Sequence, residues 1–452
     1  MSDMTVNTES DIFAKGINAW AKRVREGELS FRQTTELCIE RLGNNKVLNA
    51  FEHVDRQQSL LTAQYLDDCL AQGKDLGPFM GLPIGIKDIM AVQGMPTGFG
   101  TNADMSDLNL QEGPVVKALR ACGAVILGKT KTVEFALGAT GVNESRGTPW
   151  NPVDRQVHRM PGGSSSGSAV ATSAGIVGIA LGTDTGGSVR NPACMTGIVG
   201  HKTTTSLWPL DGIFSLSTTL DSVGPLCRSV QDAALLHQLF SGESVAAREG
   251  VNGLRIGIVE DLFFDNMDLK VSEDLERVCR LLEVQGAHRV RVKFPQVHER
   301  TDLFSAIVPS ELINSLTPER FLSIRAGVDT VTESRAAVGL STSAHHYLAS
   351  LKRRNYLVKR ASSTFNDVDL WLSATSPVLP LPVDEFKDEA VHQRALLASQ
   401  NTQPGNLLDF CSISIPMHQD GLPTGLQIMM PAHQDSRLLS IAAAIESILK
   451  SV

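Results

Sequence analysis

The sequence predicts an α/β fold, with one large mixed β-sheet covered by helices on both faces. Three observations predict it. From residue 82 to 182, short apolar segments alternate with helical ones, the pattern of a sheet with helices packed against it. Ala124-Val125-Ile126-Leu127-Gly128 and Ile179-Ala180-Leu181-Gly182 carry almost no polar residue, as strands buried on both faces do. Strand-like segments then return near the C-terminus, at 370–372, 412–415 and 425–429. A chain of 452 residues accommodates about three small domains or one large core.

The elements follow in order. The first 80 residues read as helices. Ser30 with Gln33 three residues later is a capping box that opens a helix through Leu42, and a later helix ends within 67–72. Leu82-Pro83-Ile84-Gly85-Ile86 reads as a buried strand that carries Lys87 and Asp88 at its end. Pro114 suits a first helical turn, and Gly123 stops that helix. Residues 170–179 read as a small-residue helix. Residues 243–254 look like a linker. A strand is expected at 254–259, a helix at 268–286, a strand at 289–292, mostly helices from 300 to 366, and a last helix at 436–449. The expected organisation is an N-terminal helical segment, 1–80, packing on an α/β domain, 81–452, with a helical elaboration at about 260–366.

Composition narrows the function. A net charge of −8 and the lack of a basic stripe argue against a nucleic-acid partner. The run Lys352-Arg353-Arg354 reads as a solvated helix face. No stretch of 18 apolar residues occurs, so no membrane span is expected. No signal peptide is recognisable, and the expected location is the cytoplasm. The seven cysteines are scattered and never spaced C-x-x-C. That pattern suits buried thiols in a reducing compartment rather than disulfides or a metal site.

Two glycine- and serine-rich stretches carry the chemistry: Met160-Pro161-Gly162-Gly163-Ser164-Ser165-Ser166-Gly167-Ser168 and Gly182-Thr183-Asp184-Thr185-Gly186-Gly187-Ser188-Val189-Arg190. Dense apolar flanks argue against a flexible linker. A phosphate loop would require a lysine after the glycines, and none follows. In the second stretch, Thr185, Gly186 and Gly187 present consecutive backbone N–H groups just before Ser188. Such donors form an oxyanion hole, each supplying about 2.7–4 kcal/mol of transition-state stabilisation. A nucleophilic serine also requires a base, and neither stretch contains a histidine. A buried, neutral lysine can take that role, and Lys87 at the end of an apolar strand is placed to be one.

These two stretches, together with Gly81-Leu82-Pro83-Ile84-Gly85-Ile86-Lys87-Asp88, resemble the amidase signature. Ser164 and Ser188 stand 24 residues apart, as in that family. Leu220-Asp221-Ser222-Val223-Gly224-Pro225 and Gly421-Leu422-Pro423-Thr424-Gly425-Leu426-Gln427 extend the resemblance, which runs from about residue 15 to the C-terminus. It implies hydrolysis of a carbon–nitrogen amide bond in a small amide or ureide. Ser188 would be the nucleophile, Lys87 the neutral base, and Ser164, after a cis Gly163–Ser164 peptide, the bridge between them. Asp184 and Arg190 would brace the loop as a charge-assisted pair. No metal or organic cofactor is implied, and relatives include homodimers.

A second member of the family stays in view, the glutamine-amidase subunit of a tRNA-dependent amidotransferase. It holds glutamine with an arginine, and Arg354 falls near that place. It also uses an acidic residue where this chain has Ser399. Two further departures are Gly200-His201-Lys202-Thr203, where the family often has Gly-Leu-Lys-Pro, and Leu408-Asp409-Phe410-Cys411, which replaces a Gly-containing run.

Overall fold

A computed structural model of the protein describes residues 11–418 and 420–451. Among them, eleven strands form one sheet: β1 Phe51–Val54, β2 Pro83–Lys87, β3 Val125–Thr130, β4 Ile179–Asp184, β5 Val199–Lys202, β6 Ser222–Cys227, β7 Arg255–Val259, β8 His288–Val292, β9 Leu370–Ala374, β10 Phe410–Pro416 and β11 Gly425–Pro431. Their order across the sheet is β1-β3-β2-β4-β6-β5-β10-β11-β9-β7-β8. The runs β3-β2-β4 and β9-β7-β8 are parallel, and the other pairs are antiparallel. Successive side chains of a strand point to opposite faces. Strands β2 to β6 and β9 are buried at every residue, so both faces of the sheet are covered, as predicted.

The local signals behave as expected. Ser30 Oγ accepts from Gln33 N at 3.0 Å and Gln33 Oε1 from Ser30 N at 2.8 Å, which starts Phe31–Asn44. Pro114 opens Pro114–Ala121, and Gly123 follows it at φ +80°. The last helix is Asp435–Lys450.

Two expectations needed correction, and two strands were not expected. The first 80 residues are not all helical, because Phe51-Glu52-His53-Val54 forms the edge strand β1. Its four half-exposed residues leave no apolar run to read. The helix expected at 170–179 is Ser166–Ser173. Gly175, at φ +64°, stops it in the left-handed conformation that glycine adopts without penalty. Residues 199–202, which contain no apolar run, form β5. Its Lys202 is buried with partners: Nζ donates to the carbonyls of Thr203 (2.9 Å) and Phe410 (2.7 Å). Strand β6 was hidden by Gly224 and Pro225, residues that count against a strand. A Cβ on Gly224 would lie 1.9 Å from the His201 carbonyl oxygen, so the close pass of β5 and β6 requires glycine.

Between β8 and β9 the chain is helical: Arg300–Leu316, Pro318–Ile324, Thr330–Ser341 and Ala344–Ser362. The first and third of these pack closely, since a Cβ on Gly339 would meet the Pro309 carbonyl oxygen at 2.2 Å. All seven cysteines are buried thiols. Among the described residues, no helix is long and apolar enough to cross a membrane.

Candidate active site

The parallel neighbours β2 and β4 end side by side, and the carboxyl ends of parallel strands are where α/β sheets place their sites. Lys87 is the last residue of β2, and Thr183 and Asp184 close β4. The Lys87 ammonium lies 2.7 Å from Ser164 Oγ and 2.9 Å from Thr183 Oγ1, and the side chain is fully buried. Burial lowers its pKa from 10.5 to about 7, against the opposing charges of Asp221 and Asp184. Lys87 is therefore poised to lose its proton near neutrality.

Ser164 follows a cis peptide, Gly163–Ser164, in agreement with the resemblance. The turn is held on both sides: Gly163 N donates to the Ala139 carbonyl (2.8 Å), Val133 N to that of Ser164 (3.2 Å), and Ser165 N to that of Ser188 (3.2 Å). The two serine-bearing segments are thus joined through their backbones. Ser188 lies at the wall of a cavity of about 420 Å³, and among the described residues its hydroxyl has no protein hydrogen-bond partner.

The loop between β4 and Ser188 is organised by Asp184. Its carboxylate accepts from Arg190 Nε (3.0 Å) and Nη2 (2.9 Å), and from Asn406 Nδ2 (2.9 Å). Arg190 also donates to Gln427 Oε1 and Asn406 Oδ1, each at 2.7 Å. Burial would raise the Asp184 pKa, but Arg190, Lys202 and Asn406 outweigh it and hold the carboxyl well below the usual range. The expected bracing pair is therefore present and completely buried, with every guanidinium nitrogen of Arg190 hydrogen-bonded.

Asp184 corrects one expectation about the oxyanion donors. Gly187 N donates to Asp184 Oδ1 at 2.8 Å, so this amide is already engaged. The N–H groups of Thr185, Gly186 and Ser188 have no acceptor among the described residues. Gly187 serves the loop through its conformation: φ is +122°, and a Cβ there would lie 2.0 Å from Thr402 Oγ1. Thr402 Oγ1 itself donates to the Gly186 carbonyl at 2.7 Å. Gly187→Ala is expected to displace these donors and lower kcat by at least about 10²-fold, measured against an unchanged far-UV circular dichroism spectrum.

Asp221, read in the sequence only as part of a motif, anchors the same loop. It accepts from Thr185 Oγ1, from Ser215 Oγ (2.9 Å) and from Ser217 N (3.1 Å). Burial pushes its pKa up to about 6.

Arg354 does not join this group. It is absent from the cavity wall, and its guanidinium donates to the Asn406 carbonyl at 3.3 Å. The cavity's cations are Arg300 and Arg335, with Ser399 and Gln403 beside them. Sequence reasoning missed both arginines, because a charged residue on a helix ordinarily faces solvent and neither lies in a motif. Among the described residues, no group of three or more His, Cys, Asp or Glu side chains could hold a metal ion.

A model of the family described as Amidase matches residues 33–439. The chain is 36% identical, over 443 residues and 95% of each chain, to the 2-amino-5-chloromuconic acid deaminase of Comamonas testosteroni. It is 34% identical, over 97% of this chain and 95% of the other, to one subunit of the glutamyl-tRNA(Gln) amidotransferase of Acidothermus cellulolyticus. A crystal structure of an amidase superposes with a TM-score of 0.87 at 30% identity, covering 94% of this chain and 98% of that one. With the fold and the family model in agreement over nearly the whole sequence, the chain belongs to the amidase signature family, whose members are hydrolases of carbon–nitrogen amide bonds.

Proposed function

We propose that the protein hydrolyses a small-molecule amide through a Ser188 acyl-enzyme, with Ser164 and Lys87 moving the protons. The observation that carries this reading is the 2.7 Å contact between Lys87 Nζ and Ser164 Oγ, made by a buried lysine whose pKa is lowered to about 7, beside a serine open to a cavity. Neutral Lys87 accepts the Ser164 proton as Ser164 accepts that of Ser188. Ser188 Oγ attacks the carbonyl carbon, and the oxyanion is met by the N–H groups of Thr185, Gly186 and Ser188. Ser164 returns a proton to the leaving nitrogen, which departs as the C–N bond breaks. Water then adds to the acyl-enzyme, losing a proton through Ser164 to Lys87, and the acid leaves as Ser188 regains its proton.

The test is ammonia release from a panel of small amides. Wild type is expected to turn over at least one, and Lys87→Ala and Ser164→Ala to lose most of that activity. Loss in neither variant would remove the proton relay.

The pH dependence has a definite sign. Only unprotonated Lys87 is a base, so kcat/KM is expected to rise with pH and level off above about 7. The negative charge of Asp221 raises the Lys87 pKa. In Asp221→Asn the acidic limb is therefore expected to move to lower pH, as read from the kcat/KM profile of the residual activity.

The relatives named as components of glutamyl-tRNA(Gln) amidotransferases favour a second reading, a glutamine amidase that works together with partner chains. Substantial turnover of free glutamine only in the presence of such partners would select it. Turnover of small amides by the chain alone, as monomer or homodimer, selects the first.

A further inference from the structure

Arg300 and Arg335 line the cavity at Ser188 as cations without a carboxylate partner. Arg300 begins the helix Arg300–Leu316, and Arg335 lies on Thr330–Ser341, which the close contact at Gly339 holds against it. Both are half-buried. Among the described residues, neither forms an ion pair. Arg300 donates to Gln403 Oε1, while its Nε is buried with no partner. The Arg335 guanidinium makes no hydrogen bond among the described residues. Burial pushes the pKa of both guanidinium groups down from its ordinary value, unopposed at Arg300 and, at Arg335, against the charge of Asp329, which lies too far away to form an ion pair.

The rest of the wall sharpens the picture. Phe304, Val308, Val338 and Leu216 supply apolar surface, and no Asp or Glu lies among the lining residues. The wall also holds Ser399, an uncharged residue whose Oγ is 3.3 Å from Gln403 Nε2. The cavity therefore offers cations and hydrocarbon, and nothing that would compensate a positively charged ligand.

We infer that the substrate carries a carboxylate remote from the scissile amide, bound by Arg300 and Arg335, and no ammonium group. The class is the monoamide of an apolar-chained dicarboxylic acid. A guanidinium matches a carboxylate in two parallel hydrogen bonds. The apolar wall would take the carbon chain between the two ends and leave the amide carbonyl at Ser188. The inference rests on the amidohydrolase reading for the reaction, but carboxylate binding can be measured without turnover.

Two measurements test it. In the first, the Ser188→Ala protein is titrated calorimetrically with succinate, glutarate, adipate and suberate. Binding of at least one is expected, weakened about 10- to 100-fold by adding Arg335→Leu or Arg300→Leu, the range for hydrogen bonds to a charged partner. In the second, kcat/KM of the wild type is compared for each monoamide of these acids, for the neutral amide of equal length, and for glutamine. The acid is expected to exceed the neutral amide by a similar factor, to exceed glutamine, and to lose its advantage in Arg335→Leu. Neutral amides hydrolysed as well as acidic ones, with no diacid bound, would overturn the inference and leave the amidohydrolase standing, as would a preference for glutamine. Diacid binding that depends on the arginines, without hydrolysis of any amide, would support the inference and remove the amidohydrolase.

Discussion

Replacing Ser188 by alanine is expected to lower kcat by about 10⁴- to 10⁶-fold, the range seen when one member of a cooperating catalytic triad is removed, with little change in stability. Both halves of this expectation follow from the position of the side chain. Ser188 has its hydroxyl at the cavity wall, and that hydroxyl makes no protein hydrogen bond among the described residues, so its loss leaves no buried group unpaired. Its backbone still accepts from Ser165 N, so the turn keeps its shape. The remaining machinery, Lys87 and Ser164, would have nothing to activate. For the same reason Ser188→Ala combined with Lys87→Ala is expected to cost little more than Ser188→Ala alone, since groups acting as a unit do not add. Single-turnover kinetics with thermal unfolding on the same samples separates a chemical loss from a folding loss.

Asp184→Ala is expected to have the opposite character, a large loss of stability of about 3–5 kcal/mol, the cost of leaving a buried charge without its partner. Arg190 has no exposed surface. Two of its nitrogens face Asp184, and the same carboxylate holds the N–H groups of Gly187 and Val189. Removing it strands a guanidinium and several amides at once. Restoring neutrality should recover part of the loss: Asp184→Ala with Arg190→Met is expected to be less destabilised than the sum of the two single variants. Denaturant unfolding of the four proteins reads this coupling. Activity should fall in all three variants, because the loop proposed to form the oxyanion hole hangs on this pair.

How far the sequence revealed these arrangements depended on how local the cause was. Lys87, Ser164, Ser188 and the Asp184–Arg190 pair lie in short glycine-rich segments whose residue types are hard to explain without chemistry, and the structure brings them together. Strands β2, β3, β4 and β9 were legible as apolar runs. Strand β5 was not, since Lys202 and His201 are buried through tertiary partners such as the Phe410 carbonyl and Asp435, which the local pattern does not contain. Gly187 was read as a donor, but its amide direction depends on Asp184 across the turn. Arg300 and Arg335 lie 35 residues apart on two helices, and the packing of those helices, close at Gly339 and Pro309, puts them in one cavity. Arg354, chosen by proximity to a family position, turns instead to the Asn406 carbonyl.

Ser188 is expected to be a nucleophile activated through Ser164 by Lys87. Peptide mass spectrometry after treatment with a fluorophosphonate tests it most directly, because the reagent forms a stable adduct only with an activated serine. A single adduct on the peptide containing Ser188, absent in Ser188→Ala and formed more slowly in Lys87→Ala, is the predicted result. A folded wild-type protein that forms no adduct, or forms it at another serine, would rule out an activated Ser188.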